Sequence, residues 1–513
     1  MPTKDAGTLV QHLERIVSPA RVSLAPADRL AYARDLWPRG LIGLAHGEAA
    51  PSPPDVIVWA ESTDEVASIV RVAAELGVPV VPFGAGSGVA GGTWPTQGGI
   101  LLDLKRMNRF LALDPEHLTA TFEAGIVGEH LEHELGRRGF TMGHFPSSIY
   151  CSTLGGWLAA RSAGQASTRY GKIEDMVLGL KVVTGTGETA TLGSSPYGPD
   201  WVQIFVGSEG TLGIITEATM RIARAPEVQL MRGFEFPNVA AGVQGIRRML
   251  QRGLRPAYVR LYDQIDTFIA HLGTSKPWRG VFGRPSLKPD DTTDSLRRMV
   301  VSRAVPHLGI FARMALELVD RVSPQGCLLV VGHEGARQLC EAEEKLANAV
   351  LLASGGKDLG RAPGLRWLEH RYDISYKQSK AFHDGMFVDT MEVATTWDRL
   401  LEMYGAVRSA ISKHAVVMAH FSHAYPEGCS IYFTFAGGSP KRREAERIYD
   451  ACWHDGLTAA LQASGTVSHH HGVGISKAAF MRAHHGDLMT LLQATKRVLD
   501  PAGILNPGKL GLS

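Results

Sequence analysis

The stretch Pro82-Phe-Gly-Ala-Gly-Ser-Gly88, with Gly91-Gly92 close behind, follows directly on a strand-like run, Val78-Pro-Val-Val81. Small residues in succession leave backbone N–H groups uncovered, and such a loop can wrap a pyrophosphate. The spacing is neither the fingerprint GxGxxG nor a Walker A loop, since no Gly-Lys-Ser/Thr follows. Alone, this loop is explained better as a tight turn. Two further segments change the balance. Gly143-His-Phe-Pro-Ser-Ser-Ile-Tyr-Cys-Ser-Thr-Leu-Gly-Gly156 interleaves the hydroxyls of Ser147, Ser148, Ser152 and Thr153 with Gly155 and Gly156, and continues through Ala160 to Arg161-Ser162-Ala163-Gly164. Gly207-Ser-Glu209-Gly210-Thr211-Leu-Gly213-Ile214-Ile215 enters a β-rich run. Three such loops within about 130 residues, each abutting a strand, point to one extended, polar, phosphate-bearing ligand.

Outward from these loops, the pattern alternates between helix and strand. Ser62-Thr-Asp-Glu65 forms a capping box ahead of Val66, Ile69, Val70 and Ala73 at helical spacing, and Gly77 ends that helix. Ile100–Leu104 reads as a strand. Phe110–Leu113 and Leu118–Ala124 flank the turn Asp114-Pro-Glu-His117 as a hairpin. Glu129–Gly136 reads as a second helix and Lys181–Thr184 as another strand. The fold class expected is therefore α+β, or α/β, through residue 225. Glycine density falls from about 228, and longer helical patterns follow, as at Arg247–Leu250 and Arg399–Lys413. Ser275–Arg298, rich in Pro, Asp, Lys and Thr, reads as a long surface loop.

Composition removes several classes of function. With 53 basic and 51 acidic residues the net charge is +2, which gives no electrostatic case for nucleic acid. The five cysteines are dispersed without CxxC spacing, against a disulfide framework or a structural zinc site. No signal-peptide core and no run of 18 apolar residues occurs, so a cytoplasmic location is the default expectation.

A second chemistry-bearing segment lies far downstream, Ser468-His469-His470-His471-Gly-Val-Gly474. Imidazole titrates near neutrality, so the run offers proton transfer or metal ligation; a merely polar loop is the rival. In a strand, His469 and His471 would share one face and His470 the other. Gly465–Lys477 supplies no further ligand, so no metal is expected, and a general base or substrate contact is preferred.

The ordered set PFGAGSG, STLGGW, YGKIEDMV (170–177), GSEGTLGIITEATM, IYF (431–433) and SHHHGVG resembles the FAD-linked oxidases of the vanillyl-alcohol oxidase and p-cresol methylhydroxylase type, in particular the alkyldihydroxyacetonephosphate synthases. The resemblance runs over roughly residues 50 to 513. It implies a vanillyl-alcohol-oxidase-like (PCMH-type) α+β fold, with an N-terminal helical segment at 1–50, an FAD-binding domain at 51–227, a cap or substrate domain at 228–475, and a return to the FAD domain at 476–513. The cofactor implied is FAD, held by Pro82, Phe83, Gly84, Ala85, Gly86, Ser87, Gly88, Ser147, Ser148, Ser152, Thr153, Gly156, Ala160–Ala163, Glu209–Thr211, Gly213–Ile215 and Asn506. Phe83–Gly92 has no histidine where related enzymes attach the flavin, so a non-covalent cofactor is expected.

The resemblance further implies a non-redox use of the flavin: a dihydroxyacetone-phosphate skeleton is carried while a fatty acid leaves and a fatty alcohol enters. Tyr432, His470 and His471 match the family's catalytic positions, His469 adjoins them, and Arg260 matches an arginine needed for activity. One departure stands out. Where the family has a substrate-binding arginine a dozen residues before the tyrosine, this chain has His420, with His423 nearby. Histidine pairs with phosphate less strongly than arginine and not as a bidentate fork. The C-terminal Val498–Lys509 is similar to flavin-dependent D-lactate and glycolate dehydrogenases, so oxidation of a 2-hydroxy acid is the alternative activity. A small or lipid-like substrate is expected in either case; a homodimer and a peripheral membrane contact stay open.

Overall fold

The computed structural model describes residues 6–45, 52–194, 197–267, 326–373, 382 and 386–512. The loop expected at Ser275–Arg298 lies outside them. The chain forms two compact units. Unit 1 is Met1–Glu227 with Thr466–Ser513, and unit 2 is Val228–Gly465. The return to unit 1 thus falls at Thr466 rather than at 476, which places the histidine run in unit 1.

Among the described residues, unit 1 holds two larger sheets and a two-stranded ribbon, Phe140–Thr141 with Ala223–Arg224. In the first, β1 (Val56–Trp59), β2 (Val80–Phe83) and β3 (Ile100–Asp103) run parallel, in the order β1-β3-β2, and Val22–Ser23 adds antiparallel to β1. Helix α1 (Thr63–Leu76) connects β1 to β2 and buries Val66, Ala67, Ile69, Val70 and Ala73 against Val56, Val58, Ile100 and Leu102. Its ends are set by sequence. Ser62 accepts the Glu65 N–H, and Gly77 closes the helix at a φ of 62°. The second half of the expected capping box is redirected: the Glu65 carboxylate accepts the Glu61 N–H and pairs with Arg21 at 2.6 Å.

The second sheet is antiparallel, β4 (Phe110–Asp114), β5 (Thr119–Glu123), β6 (Val177–Val183), β7 (Thr189–Gly193) and β8 (Ile214–Arg221), in the order β4-β5-β8-β6-β7. Helices α2 (Gly128–Gly136) and α3 (Leu154–Ala160) lie in the connection from β5 to β6. The C-terminal segment is stitched to β2: Val80 N–H donates to Ile504 O and Asn506 N–H to Val80 O.

Unit 2 is a seven-stranded antiparallel sheet. Its strands are β9 (Val228–Phe236), β10 (Tyr258–Tyr262), β11 (Cys327–Gly335), β12 (Lys357–Gly360), β13 (Met386–Thr396), β14 (Val416–Ala424) and β15 (Gly428–Gly438), ordered β12-β9-β11-β10-β14-β15-β13. Alternation decides its faces. Ala419 and Phe421, Ile431, Phe433 and Phe435, and Met391 and Val393 are buried on one side. There α4 (Leu400–Ile411) and α5 (Arg442–Gln462) pack on β13 and β15. The opposite positions on β10, β14, β15 and β13 carry Arg260, Tyr262, His420, Tyr432 and Glu392. Among the described residues, no helix is long and apolar enough to cross a membrane.

Candidate active site

In unit 1 the three glycine-rich loops converge. An ideal Cβ on Gly84 would stand 2.3 Å from Thr153 Oγ1, so only glycine lets the first loop approach the N-terminus of α3. Thr153 itself caps α3, accepting the Gly156 N–H at 3.3 Å. Gly210 of the third loop lies against the ring of Pro82 in the first. Lys105 Nζ donates to Gly84 O at 2.9 Å and pairs with Asp103. Asn506 Nδ2 donates to Gly92 O and Glu209 O at 2.9 and 2.6 Å.

The cradle also holds buried polar atoms without a partner among the described residues, Thr93 Oγ1, Asp35 Oδ2 and Asn506 Oδ1. Buried polar atoms normally find partners, so orphans gathered beside uncovered glycine backbone fit a large polar cofactor bound there. Asp35 is buried, and desolvation pushes its carboxyl up to about 7, while burial lowers Lys509 to about 8.

Several residues assigned to the cofactor from sequence have their side chains engaged elsewhere. Ser152 Oγ receives Trp157 Nε1–H at 2.7 Å and donates to Ser148 O. Thr211 Oγ1 donates to Ser208 O. Ser147 receives Gln165 Nε2 at 3.2 Å, and Arg161 lies 3.5 Å from Glu174. Ile214 and Ile215 are buried at the start of β8. Gly84–Gly88, Gly156 and Ala160 remain as small, partly exposed residues of the loops, while Phe83, Ala163 and Gly213 are buried.

Glu209 is the largest departure. Its carboxylate accepts the N–H groups of Val473 and, at 2.8 Å, Gly474, and the absence of a Cβ on Gly472 makes room for Oε1. The third glycine loop thereby holds the histidine run. Ala90 O accepts Ile475 and Ser476 N–H, and Lys477 Nζ spans the loop to Ser468 Oγ at 3.0 Å. His469–His471 form no strand, so the alternation expected of them does not apply. Instead, their rings pack in series, with centroids at 5.1 Å (469–470) and 4.6 Å (470–471). His469 Nδ1 and His470 Nδ1 are 2.9 Å apart, a bond that exists only when one ring carries the proton and the other accepts it.

His144, overlooked in the sequence, is fully buried. It bonds Ser162 Oγ at 3.1 Å and packs over Trp157, and desolvation lowers it to about 3, leaving it neutral. Its neighbour Gly143 belongs to the second loop, but an isolated His in a serine-rich segment carries no signal of burial.

Unit 2 brings the remaining candidates together on one face. Register pairs Tyr262 with His420, His420 with Tyr432, and Tyr432 with Glu392 in a row across β10, β14, β15 and β13. Arg260, two residues before Tyr262, shares that side. The His420 ring stacks on Tyr432 at 4.8 Å and 16°. Arg260 Nη2 lies over the His420 ring, 2.8 Å from Nε2 and 3.5 Å from Nδ1, and His420 Nδ1 lies 3.3 Å from Asp266 Oδ2. Burial, then the Arg260 charge, push His420 far below the ordinary histidine range, so it is neutral and is no phosphate-binding cation. Tyr432 is raised by burial. His423 stands at the bulge between Ser422 and Ala424, with a φ of 52°, outside the row. The alternation Tyr258-Val-Arg-Leu-Tyr262 could have flagged Tyr262; nothing in the sequence singles out Asp266.

A glycine-walled cradle with orphaned polar atoms, in a chain whose second unit presents tyrosine, histidine and arginine on one sheet face, defines a flavoprotein enzyme. Residues 54–193 match the FAD binding domain family and residues 225–510 the C-terminal domain of the FAD linked oxidases, and the chain belongs to the FAD-linked oxidase family. It is 32% identical to the alkyldihydroxyacetonephosphate synthase of Trypanosoma brucei brucei, over 98% of this chain and 80% of that one. It is 28% identical to a glycolate oxidase subunit of Bacillus subtilis (strain 168), over 99% of this chain and 97% of that one. A solved alkyldihydroxyacetonephosphate synthase superposes with a TM-score of 0.77 at 28% identity, over 99% of this chain and 85% of the other. The chain is an FAD-dependent enzyme similar to alkyldihydroxyacetonephosphate synthases, with the α+β fold of that family.

Proposed function

We propose that this enzyme exchanges the acyl group of an acyl-dihydroxyacetone phosphate for a fatty alcohol, the ether-forming step of lipid synthesis. The observation that carries the reading is the histidine run, pinned by Glu209 to the third glycine loop of the FAD cradle. Residues of Pro82–Gly88, Thr153 and Asn506 would hold FAD, non-covalently. When bound, FAD supplies an electron-poor ring able to accept a substrate carbon or a hydride.

The chain's own work is proton transfer and positioning. Removing a proton beside a ketone is work suited to an imidazole. His470 and His471 take that role in this reading, and the His469–His470 contact lets a proton pass between those two rings. Tyr432 serves as the second proton-handling group, and Arg260 receives the anionic end of the substrate.

A second reading, oxidation of a 2-hydroxy acid, is favoured by one observation. His420 is neutral and committed to Arg260 and Asp266, so it adds no positive charge for a phosphate. In that case the same histidines would deprotonate the hydroxyl. Incubating the holoenzyme with acyl-dihydroxyacetone phosphate and a long-chain alcohol, and looking for alkyl ether by mass spectrometry, tests the first reading. Ether product absent from the His470→Ala protein is expected; no ether from the wild type overturns it.

A further inference from the structure

We infer that Asp266 is a positioning residue which, through His420, aims the Arg260 guanidinium at the oxyanion of the substrate. This rests on the polar face of the unit 2 sheet being the substrate face, which both functional readings share. The shared chemistry is an anionic oxygen group, whether on a phosphate ester or a carboxylate.

Ring orientation carries the argument. Arg260 Nη2 lies 2.8 Å from His420 Nε2 and 3.5 Å from Nδ1, two distances that together place it over the face of the imidazole. His420 Nδ1 faces Asp266 Oδ2 at 3.3 Å, and a carboxylate only accepts, so Asp266 holds the Nδ1–H tautomer and with it the plane of the ring. The face so fixed is the one against which the guanidinium packs. A second arginine at position 420 would confront Arg260 charge against charge; histidine converts that place into a support.

Asp266 is itself held. It sits in the helical turn that opens after β10, where its N–H donates to Asp263 Oδ1 at 2.8 Å. Asp263 in turn accepts Ala419 N–H at 2.9 Å and Tyr404 Oη–H at 3.2 Å, so the turn is tied to β14, the strand of His420. The cation packs over the Tyr262 ring at 5.4 Å. Arg260 Nε is buried with no hydrogen-bond partner among the described residues. A guanidinium packed against the His420 and Tyr262 rings keeps its charge for an incoming oxyanion.

The sign of one substitution separates this role from its rivals. Asp266→Ala removes a negative charge near Arg260; by charge alone it would tighten anion binding, and a purely structural role would leave it unchanged. Positioning requires weakening, by about tenfold for loss of one charge-assisted support. Asp266→Asn keeps an acceptor for Nδ1–H and should bind anions at least as tightly as wild type. The measurement is calorimetric titration of the flavin-loaded protein with inorganic phosphate, with glycolate, and with neutral glycerol as control. Weaker binding of either anion by Asp266→Ala, rescued by Asp266→Asn, with flavin content and glycerol response unchanged, is the expected result. Equal or tighter binding by Asp266→Ala overturns the inference, as does wild-type protein that takes neither anion, or a variant that loses flavin and fold together. Phosphate or glycolate preference in the wild type identifies the source of the oxyanion. Failure to form ether, with this anion pattern intact, would sink the first functional reading and leave the positioning role standing.

Discussion

Glu209→Gln separates two jobs that the same residue could have. The wild-type carboxylate accepts two backbone N–H groups of the histidine loop, from Val473 and Gly474. The carboxyl is buried; desolvation pushes its pKa up, and the two N–H bonds pull it back. Glutamine keeps one acceptor oxygen and sets an NH2 against the other N–H. One charge-assisted bond is lost and one buried donor is left facing a donor, together about 3 kcal/mol. That shifts the balance between the pinned and released loop by about two orders of magnitude. The assay is limited proteolysis across residues 468–477, with flavin content read from visible absorbance. Faster cleavage there, activity down about a hundredfold and flavin retained are expected. Flavin loss with the cleavage rate unchanged would refute the latch and return Glu209 to direct cofactor binding.

Gly84→Ala places a methyl 2.3 Å from Thr153 Oγ1 and should lower flavin occupancy in the purified protein; adding Thr153→Ala removes that oxygen and should restore part of it, at about 1 kcal/mol for the lost cap. His470→Ala and His471→Ala should each abolish turnover and leave flavin absorbance at wild-type level; loss of flavin would make the histidines structural. For Asp35, raised to about 7, the stability contribution is complete below the ordinary carboxylate range and is lost as pH rises through about 7. Asp35→Asn should therefore melt above wild type at pH 8 by up to about 4 kcal/mol of stability and show no gain at pH 4. Lys509, lowered to about 8 by burial, acts in the opposite direction, and its charge and that of Asp35 attract one another, so the difference between the melting curves reads the pair. Parallel curves would contradict the assignment.

Much of the fold was legible because it rests on local rules. Ser62 and Gly77 bound α1, the Asp114–His117 turn joins β4 to β5, and the three glycine loops stand where their spacing put them. The histidine run, the arginine and the tyrosine were also visible as residue types. What escaped was where side chains spend their hydrogen bonds. Ser152, Thr211 and Glu209 looked like ligand contacts because hydroxyls and carboxylates near glycines often are. Their partners, Trp157, Ser208 and the 473–474 backbone, depend on long-range packing, which spacing does not encode. His420 was read as a weakened cation. In the fold it is buried against Arg260 and the carboxylate of Asp266, 154 positions away. The return point at Thr466 was missed for a related reason: the histidine loop belongs to unit 1 through Glu209 and Ala90 O.

The visible absorbance of the flavin, followed under anaerobic conditions, tests the central claim most directly. With acyl-dihydroxyacetone phosphate and a fatty alcohol the account predicts that ether accumulates over many turnovers while the flavin ends oxidised, and that D-lactate and glycolate leave the spectrum unbleached. Full bleaching by a 2-hydroxy acid, with no ether from the lipid substrates, would contradict it.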